Sequence, residues 1–170
     1  MHERGEAVRI YAKKAILEAL AEVQLPENEK RVLAKLATIR RVESGQMLTA
    51  IGGRGSGVQL LVSGEAVAVR NDGTTSTISC VDGVPGVIGE VNALGVRSYQ
   101  VADVTTTSEA TLIVIPAKSL SALSTDAPVV LSVIEEAKRV RVASLDEAKE
   151  LFAQERAANE KALYDKLNTL

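Results

Sequence analysis

The sequence predicts a mainly β domain, a small sandwich or barrel, with helices before and after it. Three observations predict it. The middle of the chain is punctuated by glycines, with short apolar runs recurring at intervals of about ten residues. Both ends carry apolar residues at helical spacing. The apolar residues are almost all aliphatic, with no Trp, one Phe and three Tyr.

At 170 residues the chain suits one domain with a real core and some helical extension. Apolar residues make up 46% and charged residues 25%, the balance of a globular protein. Aromatics at 2% leave too few rings for a surface that stacks nucleic-acid bases. The net charge of −2, with no basic run longer than two residues, argues against a DNA or RNA partner. A single cysteine, Cys80, forms neither an internal disulfide nor a thiolate metal cluster, and it is expected in the core. The opening MHERGEAVRIYAKK lacks the apolar stretch of a secretory signal, and no run approaches membrane-spanning length. A cytoplasmic protein with no membrane contact and no cofactor is expected.

Residues 6–23 place Val8, Ile10, Tyr11, Ala15, Leu17, Leu20 and Val23 at near-helical spacing. Pro26 then suits the first turn of a second helix, with acids at its positive end, running to about Ile39 and burying Val32, Leu33, Leu36 and Ile39. From Val42 onward the apolar runs shorten. Gly45, the GGRGSG run at 52–57, Gly64 and Asn71-Asp72-Gly73 mark turns, the last with the residues a tight hairpin favours. GGRGSG lacks the Gly-Lys-Ser/Thr of a phosphate loop and predicts a hairpin turn instead. Further strands are expected at 76–81, 99–105 and 110–115, giving six to eight in all. After Pro116 a short turn at 118–123 is expected. Asp126 is placed to cap a helix from Pro128 to beyond Val140. Ser144 with Glu147 has capping-box spacing and predicts a separate last helix from about 145 to 167. Its narrow stripe of Ala148, Phe152, Asn159, Leu163, Leu167 and Leu170 suggests a partner helix and hence a homodimer. The organisation expected is helices over 1–41, barrel over 42–116 and helices over 117–170.

Chemistry concentrates in residues 86–104, GVIGEVNALGVRSYQVADV. This stretch can present the Glu90 carboxylate, a turn of backbone N–H groups and one guanidinium around a small space, a set suited to an anion with neighbouring hydroxyls. With one histidine and one cysteine, no nucleophile–base pair or metal set is evident, so an enzyme is not expected.

Across 25–123 the chain resembles the cyclic nucleotide-binding domain family. LPENEKRVLAKLATIRRVESGQML looks like that family's lead-in helix and first strand, and GQMLTAIGGRGSGVQLLVSGEAVAV follows its strand, glycine turn, strand and Ser-Gly-Glu without gaps. GVIGE is similar to the family's entry into its phosphate-binding cassette, with Ile88 where an aromatic is usual. RSYQVADV resembles the exit, and TLIVIPAKSLSAL the last strand and short helix. The resemblance implies a double-stranded β-helix, or jelly-roll barrel, with N-terminal and C-terminal helices. It implies cAMP or cGMP as ligand, Arg97 and Ser98 with the backbone of Val91 and Asn92 at the cyclic phosphate, Glu90 at the ribose 2′-hydroxyl, and Gly89 for close approach. Six residues separate Glu90 from Arg97, a tighter spacing than the family's, and Tyr99 stands where the family keeps a small alanine. A lid on the base is expected from Ala148, Leu151 or Phe152. With no winged helix in the sequence, output is expected through self-association or another protein. The alternative is a ligand-free assembly module acting through its helices.

Overall fold

A computed structural model describes residues 2–55, 57–95 and 100–169, and only the backbone at 2–8, 91, 92, 148 and 152. It divides into two units, Met1–Ala137 and Lys138–Leu170.

In the first unit, α1 (His2–Ala19) and α2 (Glu27–Leu36) precede the strands; α2 stops at Leu36, so Ile39, expected at its end, falls instead on the strand Thr38–Val42. Pro26 sits at the N-cap of α2, and its carbonyl accepts the N–H groups of Glu29 and Lys30, both at 3.0 Å. The buried apolar residues of this region include Ile16, Leu20, Val23, Leu25 and Leu33, and Glu29 and Lys30 of α2 are buried beside them. Ile10 and Tyr11, expected on the apolar stripe of α1, are instead 69% and 80% exposed. The stripe that finds a partner begins later, at Ile16, where α1 runs alongside α2.

Eight strands follow among the described residues, in two antiparallel four-stranded sheets. They are β1 (Thr38–Val42), β2 (Met47–Thr49), β3 (Gly57–Ser63), β4 (Glu65–Arg70), β5 (Thr75–Ser79), β6 (Gly86–Ile88), β7 (Ala102–Thr106) and β8 (Ala110–Pro116). One sheet has the order β1-β8-β3-β6 and the other β2-β7-β4-β5. The period-2 alternation of strands decides which residues go where. On the first sheet, Ile39, Val58, Leu60, Val87, Ile113 and Ile115 face the helices and pack with Ile16, Leu20, Leu33, Leu123 and Ile134. The opposite face turns Leu61, Ile88 and Leu112 inward against Ala66, Ala68, Ile78 and Val104 of the second sheet. The result is a β-roll with helices against one wall.

GGRGSG does not close a hairpin. β2 pairs with β7 in one sheet while β3 pairs with β8 and β6 in the other, so this run carries the chain between sheets. Turn chemistry alone does not distinguish the two outcomes, because both need glycine. The expected hairpin at Asn71-Asp72-Gly73 does form between β4 and β5. There Asp72 accepts from the backbone and hydroxyl of Thr74, which lowers its carboxyl below the usual range. Gly64 (φ +90°) joins β3 to β4, and a Cβ there would lie 2.2 Å from the Glu109 carbonyl oxygen.

After a 3-10 turn (Ala117–Ser119), α4 spans Leu120–Asp126 and α5 spans Pro128–Asn168. Two expectations fail here. Asp126 ends α4, and the N–H of Val130 in the first turn of α5 is taken at 2.9 Å by the Glu29 carboxylate of α2. Ser144 caps nothing, because it lies inside the continuous α5. A Ser-x-x-Glu spacing starts a helix only where the preceding residues leave helical geometry, and here residues 139–143 stay helical, with no Gly or Pro to break the run. In the second unit, Leu151, Leu163, Tyr164 and Leu167 are each more than 60% exposed, and Asn159 is exposed too.

Candidate ligand-binding site

The site region begins where β6 leaves the sheet. β6 is fixed to β3 by the pairs Gln59 with Ile88, Leu60 with Val87 and Leu61 with Gly86. Ile88 is fully buried, so the end of β6 is anchored in the roll. Gly89 then takes φ +85°, a conformation that turns the chain at once from strand into helix and that side-chain-bearing residues avoid. A Cβ at this position would come within 3.0 Å of the Gly57 carbonyl oxygen. Glycine is therefore required twice here, for its dihedral and for its lack of bulk.

The turn that follows is α3 (Glu90–Ala93), a single helical turn closed by Ala93 N–H to Gly89 O at 3.0 Å and Leu94 N–H to Glu90 O at 2.9 Å. The tight spacing between Glu90 and Arg97 thus shortens the cassette helix without abolishing it. Gly95, at φ +78°, ends the turn. Glu90 is 0% exposed. A carboxylate is costly to bury and persists only when it is hydrogen-bonded or paired. No buried side-chain oxygen or nitrogen among the described residues lacks a partner, and Glu90 has one.

At the far end of the segment Gln100 donates its N–H to Gly53 O at 2.8 Å and accepts from Gly52 N–H at 2.9 Å. The cassette is thus held at one end by the pairing of β6 with β3 and at the other by the connection between β2 and β3. Of the residues expected at the site, Gly89 and Glu90 are adjacent at the wall of the roll. Val91 and Asn92 belong to α3, their side chains lying outside the described atoms, and Arg97, Ser98 and Tyr99 lie outside the described residues. Of the expected lid residues, Leu151 is 62% exposed, while the side chains of Ala148 and Phe152 are not described.

Sequence reasoning missed three polar residues that point into the roll, Arg40, Gln59 and Gln100. Arg40 and Gln59 share their strand faces with core residues two positions away, Val42 and Leu61, while Gln100 stands just before β7, two positions ahead of Ala102. That polar interruption of an apolar alternation was the available signal. Cys80 follows β5 and is half-buried, with burial pushing its thiol upward and a backbone hydrogen bond from Gly83 opposing this. Among the described residues no group of three or more His, Cys, Asp or Glu could hold a metal ion, and no helix is long and apolar enough to cross a membrane.

No family model matches the chain, and no curated protein does. Solved structures do. A cAMP-bound PKA regulatory subunit, PfPKA-R, is 18% identical at a TM-score of 0.60, over 78% of this chain and 47% of that one. The Trypanosoma cruzi regulatory subunit of a cAMP-independent protein kinase A, bound to guanosine, is 18% identical at 0.59, over 83% and 52%. The Thermus thermophilus catabolite activator protein is 19% identical at 0.58, over 79% and 63%. The chain spans about half the length of those two kinase regulatory subunits. At these identities the likeness is one of architecture: the chain has the cyclic nucleotide-binding domain fold.

Proposed function

We propose that this chain is a regulatory module that binds cAMP or cGMP at the cassette. The observation that carries the reading is a fully buried carboxylate, Glu90, opening the short α3 directly after left-handed Gly89 in this fold. Glu90 accepts the ribose 2′-hydroxyl, which a carboxylate does well and which keeps the phosphate away from it. The N–H groups of α3, including those of Val91 and Asn92, meet the cyclic phosphate together with Arg97 and Ser98, since a guanidinium offers two parallel donors to phosphate oxygens. Tyr99 borders the ligand. The output is a change in α5, whose first turn is already tied to α2 through Glu29. Self-association through the exposed Leu163 and Leu167, or a protein partner, reads that change in the cytoplasm.

Melting with and without each nucleotide tests the reading. Ligand at about a hundred times its dissociation constant adds roughly 2.7 kcal/mol of stability. Arg97→Lys should shrink the shift by losing the bidentate fork. No shift with either nucleotide at millimolar concentration would overturn the proposal. One observation favours a second reading, a ligand-free assembly module: α3 is only four residues long. The regulatory subunit from Trypanosoma cruzi is itself described as part of a cAMP-independent kinase, so the fold does not by itself specify cAMP.

A further inference from the structure

Two neighbouring charged residues of α2 are buried, Glu29 at 2% exposed and Lys30 at 5%. Successive residues of a helix point about 100° apart, so the two side chains leave α2 in different directions. Their partners differ accordingly. The Glu29 carboxylate accepts the Val130 N–H at 2.9 Å, in the first turn of α5. The Lys30 ammonium donates to the Ala21 carbonyl at 3.3 Å, in the turn that follows α1, and pairs with Glu27 at 3.3 Å. Each charge therefore meets the end of a helix whose dipole it complements, acid at the positive start of α5 and base at the negative end of α1.

Packing alone does not call for either group. The core that these helices share, with Leu20, Leu33, Val130 and Ile134, is apolar, and a charge buried there is costly unless it is hydrogen-bonded. What the pair adds is direction. Apolar contact is non-directional, whereas each of these bonds fixes one helix end to α2 at one point.

The same elements touch the roll close to the cassette. In the connection from α1 to α2, Gln24 donates its N–H to Gly83 O at 2.8 Å. Gly83 lies in the two-residue turn between Val81 and Val84, which exchange both backbone bonds at 3.0 and 2.9 Å. A side chain at Gly83 would run into the Gln24 stem, so the contact is close. β6, the strand that delivers Gly89 and Glu90, begins two residues after that turn.

We propose that Glu29 and Lys30 form a two-way clamp that makes the end of α1, α2 and the start of α5 one rigid body, so that whatever moves α5 also moves α1. The exposed Ile10 and Tyr11 then lie on a second output arm. The nature of the trigger rests on the cyclic-nucleotide reading, and the clamp itself does not.

Hydrogen exchange and spin-label distances, measured on the full chain without ligand, test the clamp. Glu29→Met and Lys30→Met keep side-chain length while removing one charge each, and Glu29→Gln keeps an acceptor. In Glu29→Met the amides of Leu20 and Val23, on the Lys30 side of the clamp, should exchange at least tenfold faster together with that of Leu131, while amides in the β3–β8 pairing keep their rates. Lys30→Met should likewise speed Leu131 as well as Leu20 and Val23. Glu29→Gln should stay close to the parent chain. In a Cys80→Ser background, nitroxides at Tyr11→Cys and Thr75→Cys should give one narrow distance that broadens in Glu29→Met. Acceleration confined to Leu131 in Glu29→Met, with the label distance unchanged, would overturn the proposal. So would uniform acceleration that includes β3–β8, which is global destabilisation. A melting shift absent with both cyclic nucleotides refutes the cassette and leaves these rates as they are, so the two failures stay distinct.

Discussion

Replacing Gly89 with alanine isolates what the turn into α3 requires. Two costs apply at this position. A left-handed dihedral costs a side-chain-bearing residue about 1–2 kcal/mol, partly offset by about 0.4–1 kcal/mol because alanine restricts the unfolded chain. The second cost is local: the new Cβ would lie 3.0 Å from the Gly57 carbonyl oxygen, which belongs to a paired strand and cannot retreat freely. Overpacking of this kind adds about 1 kcal/mol or more. Gly73 supplies the control, with φ +80° but nothing within 4 Å of an added Cβ. Gly73→Ala should therefore cost about 1 kcal/mol or less, and Gly89→Ala about 2 kcal/mol, a melting drop of roughly 4–8 °C for a chain of this size. Urea melts of the two variants, followed by circular dichroism, measure the difference. If both variants lose the same stability, the close approach of the cassette to β3 is not what fixes this glycine.

Glu29→Ala removes the buried acceptor of the Val130 N–H and should destabilise by about 1–3 kcal/mol, the cost of leaving a buried donor without that bond. An unchanged urea midpoint would mean that the turn is held otherwise. The Cys80 thiol, raised by burial, should ionise at higher pH than the same thiol in the unfolded chain. Its contribution to stability is then full below the ordinary thiol value and lost as pH rises through the folded one. Thiolate absorbance followed against pH in the folded and urea-unfolded protein checks this, and coincident midpoints would contradict it. Changing Leu163 and Leu167 to Asp should convert a dimer to a monomer by light scattering while leaving the melting of Met1–Ala137 nearly intact, because both leucines are exposed.

The β-roll was legible in the sequence because two independent patterns agreed. Alternation sorted Leu60 and Leu61 to opposite walls, and glycines such as Gly64 and Gly89 stood where the chain had to turn with positive φ. What escaped was information that no local window holds. The cap of α5 comes from Glu29, a hundred and one positions earlier, and not from the nearby Asp126. GGRGSG reads as a hairpin until the partners of β2 and β3 are known. Ser144 has the spacing of a helix start, yet nothing around it breaks the preceding helix. At the site, Gly89 and Glu90 were legible through the motif around them. Arg40 and Gln59 were not, since a polar residue in a strand acquires meaning only when its face is known to point inward.

Calorimetric titration of the intact chain and of Glu90→Gln with cAMP and cGMP tests the central claim most directly. The account predicts saturable one-to-one binding of at least one cyclic nucleotide, weakened by an order of magnitude or more in the variant, because a neutral amide is a poorer acceptor for the ribose hydroxyl. Absence of heat with either nucleotide, or equal affinity in the variant, would contradict it.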